Sequence, residues 1–161
     1  MRTKIVSLFA AVLLVAACES GGSQDPMVSG DSSRMTQSGD DVRPGSPQDF
    51  LVNVGDRVFF GYDRYDLTSA ARATLERQAE WLQRYPNRRL VIEGHADERG
   101  TREYNIALGE RRAATVRSYL VAQGVSPSRL STISYGKEQP AVLGATEAAW
   151  AQNRRGVTVV N

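Results

Sequence analysis

The hydrophobic and polar positions divide the chain into three parts. An apolar run begins at Ile5 and ends in small residues before Cys18, and residues 19–49 contain no aromatic side chain. From Phe50 onward, apolar residues recur at the spacings that are typical of helices and strands. We therefore predict a leader at residues 1–17, a linker at residues 18–49 and one globular domain at residues 50–161.

Four strands and three helices are predicted within the globular domain. The strands are predicted at residues 52–60, 90–95, 130–135 and 157–160. Thr68 is predicted to cap the first helix, which ends at Tyr85. Asn105 is predicted to cap the second helix, and Gly124 lies just past the end of that helix. A short third helix is expected near residues 147–152. The order β-α-β-α-β-(α)-β predicts an α/β fold, an α+β sandwich whose helices pack on a mixed sheet.

The first residues have the three-part form of an export signal. Arg2 and Lys4 precede the apolar run, and small residues precede Cys18. The run has about thirteen apolar residues, fewer than the roughly twenty that span a bilayer. The sequence VAAC that ends at Cys18 resembles the bacterial lipobox, and Cys18 is the only cysteine of the chain. We therefore expect cleavage before Cys18 and lipidation of its side chain.

The segment after Cys18 is rich in Gly, Ser, Asp and Pro, so it cannot bury enough apolar surface to order itself. A flexible linker between a membrane and the domain is predicted. Removal of residues 1–17 takes away Arg2 and Lys4 but no acidic residue, which leaves the mature chain formally neutral. Because the mature chain is neutral and its sequence has no nucleic-acid-binding motif, we predict no nucleic-acid partner.

One stretch of the domain, EGHADERGTREYN at residues 93–105, concentrates charged side chains between two apolar runs. It joins the second predicted strand to the second predicted helix, a common place for ligand sites in α/β folds. The backbone N–H groups and the dipole at a helix N-terminus favour an anion such as a carboxylate. The stretch is therefore a candidate ligand site.

Asp97 and Arg112 are the candidate ligand-binding residues on either side of this helix start. By its angular position, Arg112 lies at the edge of the apolar face, and its guanidinium is expected to reach back and bind a carboxylate. Asp97 is suited to an ammonium. Together they fit the free end of an amino acid, which carries both charges. The spacing leaves open the alternative that Asp97 and Arg112 pair with each other and tie down the loop.

Metal binding and catalysis have less support in the sequence. Glu93, His95 and Asp97 alternate along a strand, but one histidine with two carboxylates lacks the usual ligand partners of zinc. We predict no metal or cofactor, and we predict that His95 is a hydrogen-bonding structural residue. Glu93 and Asp97 are the candidates for a carboxylate pair of a glycoside hydrolase. Catalytic triads and phosphate-binding loops do not stand out, so a non-enzymatic domain is predicted.

Four motifs of the domain are long and specific enough to compare with known families. They are FFGYDRYDL (59–67), EGHADERGTREYNIALGERRA (93–113), SYGKEQPAVLG (134–144) and NRR (153–155). These motifs resemble the OmpA-like peptidoglycan-binding domain family, and within it the peptidoglycan-associated lipoproteins (Pal) of the Tol-Pal system. The resemblance implies non-covalent binding of the peptide stems of peptidoglycan, through the free amino acid end of meso-diaminopimelate.

The resemblance also implies roles for individual residues. Asp97 would hold the ammonium of diaminopimelate, and Arg112 would hold its carboxylate. The other residues that would contact the ligand or shape its site are Tyr62, Asp63, Thr101 and Leu108.

A location and a set of partners follow from the same resemblance. The lipid on Cys18 would anchor the protein in the outer membrane, on its periplasmic face, and Glu19 is not the aspartate associated with inner-membrane retention. The implied partners are peptidoglycan, TolB and other Tol proteins, with a role in cell division and envelope integrity. The alternatives are a peptidoglycan hydrolase that uses Glu93 or Asp97, and a wall anchor of the flagellar stator type, which requires a transmembrane helix.

Overall fold

The structure, a computed structural model, describes residues 42–161. Its helices are α1 (Pro47–Asp49), α2 (Ser69–Arg84), α3 (Arg102–Ala122) and α4 (Glu147–Asn153). Its strands are β1 (Arg57–Phe59), β2 (Leu90–His95), β3 (Leu130–Gly136) and β4 (Arg155–Val160). The predicted leader, the lipidation site at Cys18 and most of the predicted linker lie outside the described residues.

The four strands form one sheet in the order β1-β4-β2-β3. Strands β2 and β3 are parallel, whereas β4 is antiparallel to both β1 and β2. Parallel neighbours need a crossover connection, and α3 provides it. Helix α3 packs on β2 and β3, and α2 packs on β1 and α3. The predicted α/β fold, with helices packed on a mixed sheet, is confirmed.

The core lies between the helices and the sheet. Its buried side chains include Leu75, Ala79 and Leu82 of α2, Ala113, Val116 and Leu120 of α3, and Leu90 and Ile92 of β2. In both helices these residues recur every three or four positions, which places them on one face. The predicted start of α2 is confirmed, because the Thr68 hydroxyl accepts a hydrogen bond from the backbone N–H of Ala71.

Helix α3 approaches β2 closely at two glycines. A Cβ atom built on Gly94 would lie 1.8 Å from the carbonyl oxygen of Gly109, so the backbones of the strand and the helix are in direct contact. A Cβ atom on Gly109 would lie 2.3 Å from the Ser134 hydroxyl. This contact holds the first turns of α3 beside the end of β2, where the candidate ligand site was predicted.

The strand predicted at residues 52–60 is wrong over its first half. Residues Phe50–Val54 form a π-helix, and the strand extends only from Arg57 to Phe59. Phe50 and Val54 are both buried. A strand would turn Val52 to the same face as Phe50 and Val54, but Val52 is 59% exposed, as expected of a helical turn, in which only residues about four positions apart share a face.

The predicted cap of α3 is also wrong. The helix begins at Arg102, four residues earlier than predicted, and Thr101 is its N-cap, with the Thr101 hydroxyl accepting a hydrogen bond from the backbone N–H of Tyr104. Asn105 lies within the helix, where its side-chain amide donates to the carbonyl oxygens of Arg99 and Thr101. Asn105 thus stabilises the loop before the helix rather than the helix end itself.

Packing against the domain begins before the predicted boundary at residue 50. The carboxylate of Asp49 is buried and accepts three hydrogen bonds of 2.8 Å, from the Trp81 indole, the Gly45 backbone N–H and the Asn53 side chain. These hydrogen bonds, that of Trp81 first, hold the pKa of Asp49 below its ordinary value. The last residues of the predicted linker are therefore folded onto α2.

We expect Asp49→Ala to lower the free energy of unfolding by about 1–3 kcal/mol, because the buried donors lose their acceptor. Urea denaturation of residues 19–161 at pH 7 measures this change. Since the folded state lowers the pKa of Asp49, its contribution is present above the ordinary value of 3.8 and is lost as the pH falls through the lowered value. The neighbouring exposed Gln48→Ala is the control, and an equal effect of both variants would contradict the prediction.

Candidate functional site

A pocket of about 170 Å³ opens where β2 ends and α3 begins. Its lining residues are Tyr62, Asp63, Asp97, Arg99, Gly100, Tyr104, Asn105 and Leu108. The pocket thus brings together four of the six predicted ligand residues, from the segment after β1, the β2–α3 loop and α3. The other two, Thr101 and Arg112, do not line it.

Asp97 lies at the base of the pocket and is 5% exposed. Its Oδ1 atom accepts hydrogen bonds from the backbone N–H and the Nε of Arg99, each at 3.1 Å. Its Oδ2 atom accepts from the guanidinium groups of Arg99 at 2.6 Å and Arg154 at 3.3 Å. Burial alone would raise the pKa of Asp97, but these hydrogen bonds outweigh it and hold the pKa below its ordinary value.

Arg99 is a pocket residue that the sequence did not single out. Its guanidinium lies between two aromatic rings, 4.1 Å from the ring centre of Tyr62 and 4.0 Å from that of Trp150. The hydrogen bonds to Asp97 raise the pKa of Arg99. The adjacency of Arg99 to Asp97 was visible in the loop, but Trp150 comes from α4, fifty-one positions away in the chain, and no spacing rule connects them.

Arg112 is fully buried beneath the pocket. Its guanidinium donates to the backbone carbonyl oxygens of Arg64 at 2.8 Å, His95 at 2.7 Å and Gly61 at 3.0 Å. Burial lowers the pKa of Arg112 to about 10, so the side chain stays charged at neutral pH. The residue ties α3 to the end of β2 and to the segment after β1.

The alternative in which Asp97 and Arg112 pair with each other is wrong. Within residues 42–161, the ion-pair partners of Asp97 are Arg99 and Arg154. Three of the five N–H groups of the Arg112 guanidinium donate to backbone carbonyl oxygens instead. The expected position of Arg112 at the edge of the apolar face is also corrected, because its side chain lies inside the fold, where carbonyl acceptors compensate its burial.

The outer wall of the pocket is attached to the first turn of α3. The Tyr104 hydroxyl donates a hydrogen bond to Asp63, and this bond raises the pKa of Tyr104. Asp63 has a φ of 53°, a backbone conformation in which Asp and Asn occur more often than other non-glycine residues. Tyr62 is 61% exposed, so it forms the rim of the pocket rather than part of the core. Thr101 shapes this region as the cap of α3.

Glu93 and His95 lie on β2 outside the pocket. His95 is buried, and its Nε2 atom is 3.4 Å from the Glu93 carboxylate, but neither ring nitrogen has a hydrogen-bond partner among residues 42–161. His95 is thus buried in the fold, but the hydrogen bond predicted for it as a structural residue is not found among these residues. Glu93 does not line the pocket of Asp97, and no cluster of three or more metal-binding side chains occurs in this part of the chain.

The stability of the domain is expected to fall as the pH is lowered from about 6.5 to about 4. Burial first, and then the charge of Arg155, lower the pKa of His95 from 6.5 to about 4, so the unfolded chain binds a proton in this range and the folded chain does not. Above pH 6.5, His95 is neutral in the folded and the unfolded chain, so it causes no loss of stability there. Urea denaturation of the wild type and of His95→Gln across this range isolates it, and parallel stability curves would contradict the assignment.

The amino-acid sequence matches the model of the OmpA family over residues 59–154. A curated relative from Rhizobium meliloti, named peptidoglycan-associated lipoprotein, is 61% identical over 117 residues, which cover 73% of this chain and 66% of the relative. A relative of the same name from Pasteurella multocida is 41% identical and covers 96% of this chain and 95% of its own length. The alignment with the Rhizobium relative thus spans about two thirds of that protein.

Solved structures share the fold. The peptidoglycan-associated lipoprotein from Burkholderia pseudomallei is 40% identical, with a TM-score of 0.68 over 72% of this chain and all of that chain. The C-terminal domain of Helicobacter pylori MotB has a TM-score of 0.61 at 23% identity, over 66% of this chain and 84% of its own. At that identity, the second likeness concerns the fold alone. None of the helices within residues 42–161 has the length and apolar character of a membrane span.

Proposed function

The chain belongs to the OmpA family, among relatives named peptidoglycan-associated lipoprotein, and from this membership we propose that its domain binds peptidoglycan without catalysis. The family resemblance of the four sequence motifs is confirmed. The prediction that the protein is not an enzyme agrees with the names of these relatives, which describe association with the wall.

The ligand of the pocket is the amino acid end of meso-diaminopimelate in a peptide stem. The observation that supports this proposal is the pairing of a buried carboxylate, Asp97, with guanidinium groups beside the N-terminus of α3. Asp97 binds the ammonium, and Leu108, Tyr62 and Asp63 contact the rest of the ligand. An amino acid end carries one positive and one negative charge, so it fits a pocket that offers both charges.

Arg112 acts on the ligand carboxylate from beneath the pocket. Its charge is buried and lacks a carboxylate partner within 4.0 Å in the described part of the chain, so its positive field is available to an anion in the pocket. Thr101 holds the start of α3 in place, and the free N–H groups there favour the same anion.

The domain acts at the end of a membrane tether. The lipid on Cys18 anchors the chain in the outer membrane on its periplasmic face, the linker gives it reach, and TolB and other Tol proteins are further partners. Many copies on one membrane hold the wall through weak, exchanging contacts, because their binding is collectively strong. Such a tether maintains the envelope while the membrane and wall move inward during cell division.

Calorimetric titration of residues 19–161 with a stem peptide that contains meso-diaminopimelate tests the proposed site. We expect saturable binding by the wild type and at least a tenfold weaker affinity in Asp97→Asn, because the ammonium loses a charged hydrogen-bond acceptor. Glu110→Gln removes the same charge from an exposed position of α3 and is expected to bind like the wild type.

Two results would argue against this function. Absence of binding by a folded wild-type protein would remove the proposed ligand. Release of soluble fragments from purified peptidoglycan, lost in Glu93→Gln or Asp97→Asn, would instead support the hydrolase alternative.

A further inference from the structure

The carboxylate of Asp97 has no vacant acceptor position in this structure. It accepts four hydrogen bonds, three from Arg99 and one from Arg154, and a carboxylate offers about four lone-pair sites. A ligand ammonium therefore reaches Asp97 only by replacing one of these donors. The identity of the donor that leaves determines which ligands the pocket accepts.

Arg154 is fixed by its other contacts. Its side chain is 7% exposed and also donates to the carbonyl oxygen of Phe60 at 3.2 Å and to Glu147 at 2.6 Å. The side chain of Arg99 is 29% exposed and lines the pocket, and its side-chain hydrogen bonds within the described residues go only to Asp97. Its other ion pair, with the exposed carboxylate of Glu147, is 3.9 Å long and therefore weak. Arg99 is therefore the donor that a ligand displaces.

The aromatic rings on both sides of Arg99 keep a displaced guanidinium in the pocket. The guanidinium carbon lies 4.1 Å from the ring centre of Tyr62 and 4.0 Å from that of Trp150, and cation–π contacts of this kind hold a planar cation without fixing the direction of its N–H groups. The guanidinium can thus leave Asp97 and turn its N–H groups toward a new acceptor while it stays between the rings.

We infer that Arg99 makes the pocket selective for a zwitterion, which inserts between Asp97 and Arg99. The ligand ammonium replaces the guanidinium on Asp97, and the ligand carboxylate receives the displaced guanidinium. Arg99 then binds the carboxylate, and the positive charge of the buried Arg112 also attracts it. This inference rests on the proposed function of the pocket and specifies how its ligand is selected.

Insertion of a zwitterion leaves every charge with a partner. A ligand that has only the ammonium displaces Arg99 from Asp97 and offers it no acceptor in return. A ligand that has only the carboxylate does not compete for Asp97. Lysine is diaminopimelate without its side-chain carboxylate, so a stem peptide with lysine in that place is the matched ligand that lacks one charge.

The test measures the dissociation constants of the diaminopimelate and lysine peptides for residues 19–161 and two variants. In Arg99→Gln, we expect the preference for diaminopimelate to fall about tenfold, mainly because the lysine peptide no longer competes with a cation. Arg102→Gln is the control: this arginine of the same region is 66% exposed, pairs with Glu138 and does not line the pocket. Its preference is expected to equal that of the wild type.

Arg99→Lys keeps the positive charge, and we expect it to retain most of the preference for diaminopimelate. A second readout is the indole N–H resonance of Trp150 in the wild type, which is expected to shift with the diaminopimelate peptide while that of the buried Trp81 does not. This measurement is independent of whether the variants fold.

The outcomes separate the inference from the proposed function. If the wild type binds the diaminopimelate peptide, but Arg99→Gln keeps the full preference and the Trp150 resonance does not move, the role of Arg99 is wrong and the proposed function stands. If the folded wild type binds neither peptide, both are wrong.

Discussion

Replacement of Arg112 by methionine is expected to lower the free energy of unfolding by about 3–5 kcal/mol. Methionine preserves most of the aliphatic volume but donates no hydrogen bond. The carbonyl oxygens of Gly61, Arg64 and His95 would then stay buried without the donors that they have in the native structure. The three segments that meet at this guanidinium would lose their common attachment.

Urea denaturation of residues 19–161 measures this loss, and Arg111→Met is the matched control. Arg111 is the preceding residue of α3, is exposed and forms no side-chain hydrogen bond or ion pair with the described residues, so we expect its replacement to change the free energy by less than about 0.5 kcal/mol. Equal stability of the two variants would show that the buried hydrogen bonds do not stabilise the fold. Urea denaturation must accompany any binding assay on an Arg112 variant, because unfolding of the variant would also abolish binding.

Gly94→Ala is expected to destabilise the domain by about 3 kcal/mol or to prevent its folding. The new methyl carbon would lie 1.8 Å from the carbonyl oxygen of Gly109 and 2.5 Å from its carbonyl carbon, and both atoms belong to the backbone of α3. A side chain can rotate away from such a contact, but a helix backbone cannot. Relief requires the whole helix to move off the sheet.

Gly156→Ala tests whether the close helix contact is the cause. Gly156 pairs directly with Gly94 on the neighbouring strand, but a Cβ atom there would have its nearest contacts at 3.4–3.5 Å, which is ordinary packing. We expect Gly156→Ala to cost less than about 1 kcal/mol, as measured by thermal and urea unfolding. A similar loss in both variants would indicate that strand glycines matter for another reason.

The sequence was sufficient to predict the elements that carry local signals. Helix α2 begins at a capping threonine and ends before a proline, and β2 is a short apolar run with clear boundaries, so both were located closely. Residues 52–54 were predicted as part of a strand because valine favours strands, but a strand would bury Val52 together with Val54, whereas Val52 is 59% exposed and lies in a helical segment. This burial depends on tertiary contacts that a local pattern does not contain.

The candidate site was predictable in part. The pattern and the family resemblance identified Asp97, Leu108 and the segment at residues 62–63, all of which line the pocket. The pairing of Asp97 with Arg154 was not predictable, because the two residues are fifty-seven positions apart in the chain. Nor were the partners of Arg112, because they are backbone carbonyl oxygens, which residue types do not reveal. Sequence reasoning thus identifies the charged groups better than it identifies their pairing.

The attachment of three distant segments to Arg112 couples the pocket to the completion of folding. The guanidinium joins carbonyl oxygens that lie 17, 48 and 51 positions away in the chain, so these contacts close long loops and form only when the sheet and α3 have assembled. A partly folded chain therefore has no pocket. Any ligand of the pocket binds the native state alone, and a saturating concentration raises the midpoint of thermal unfolding in proportion to the logarithm of its concentration.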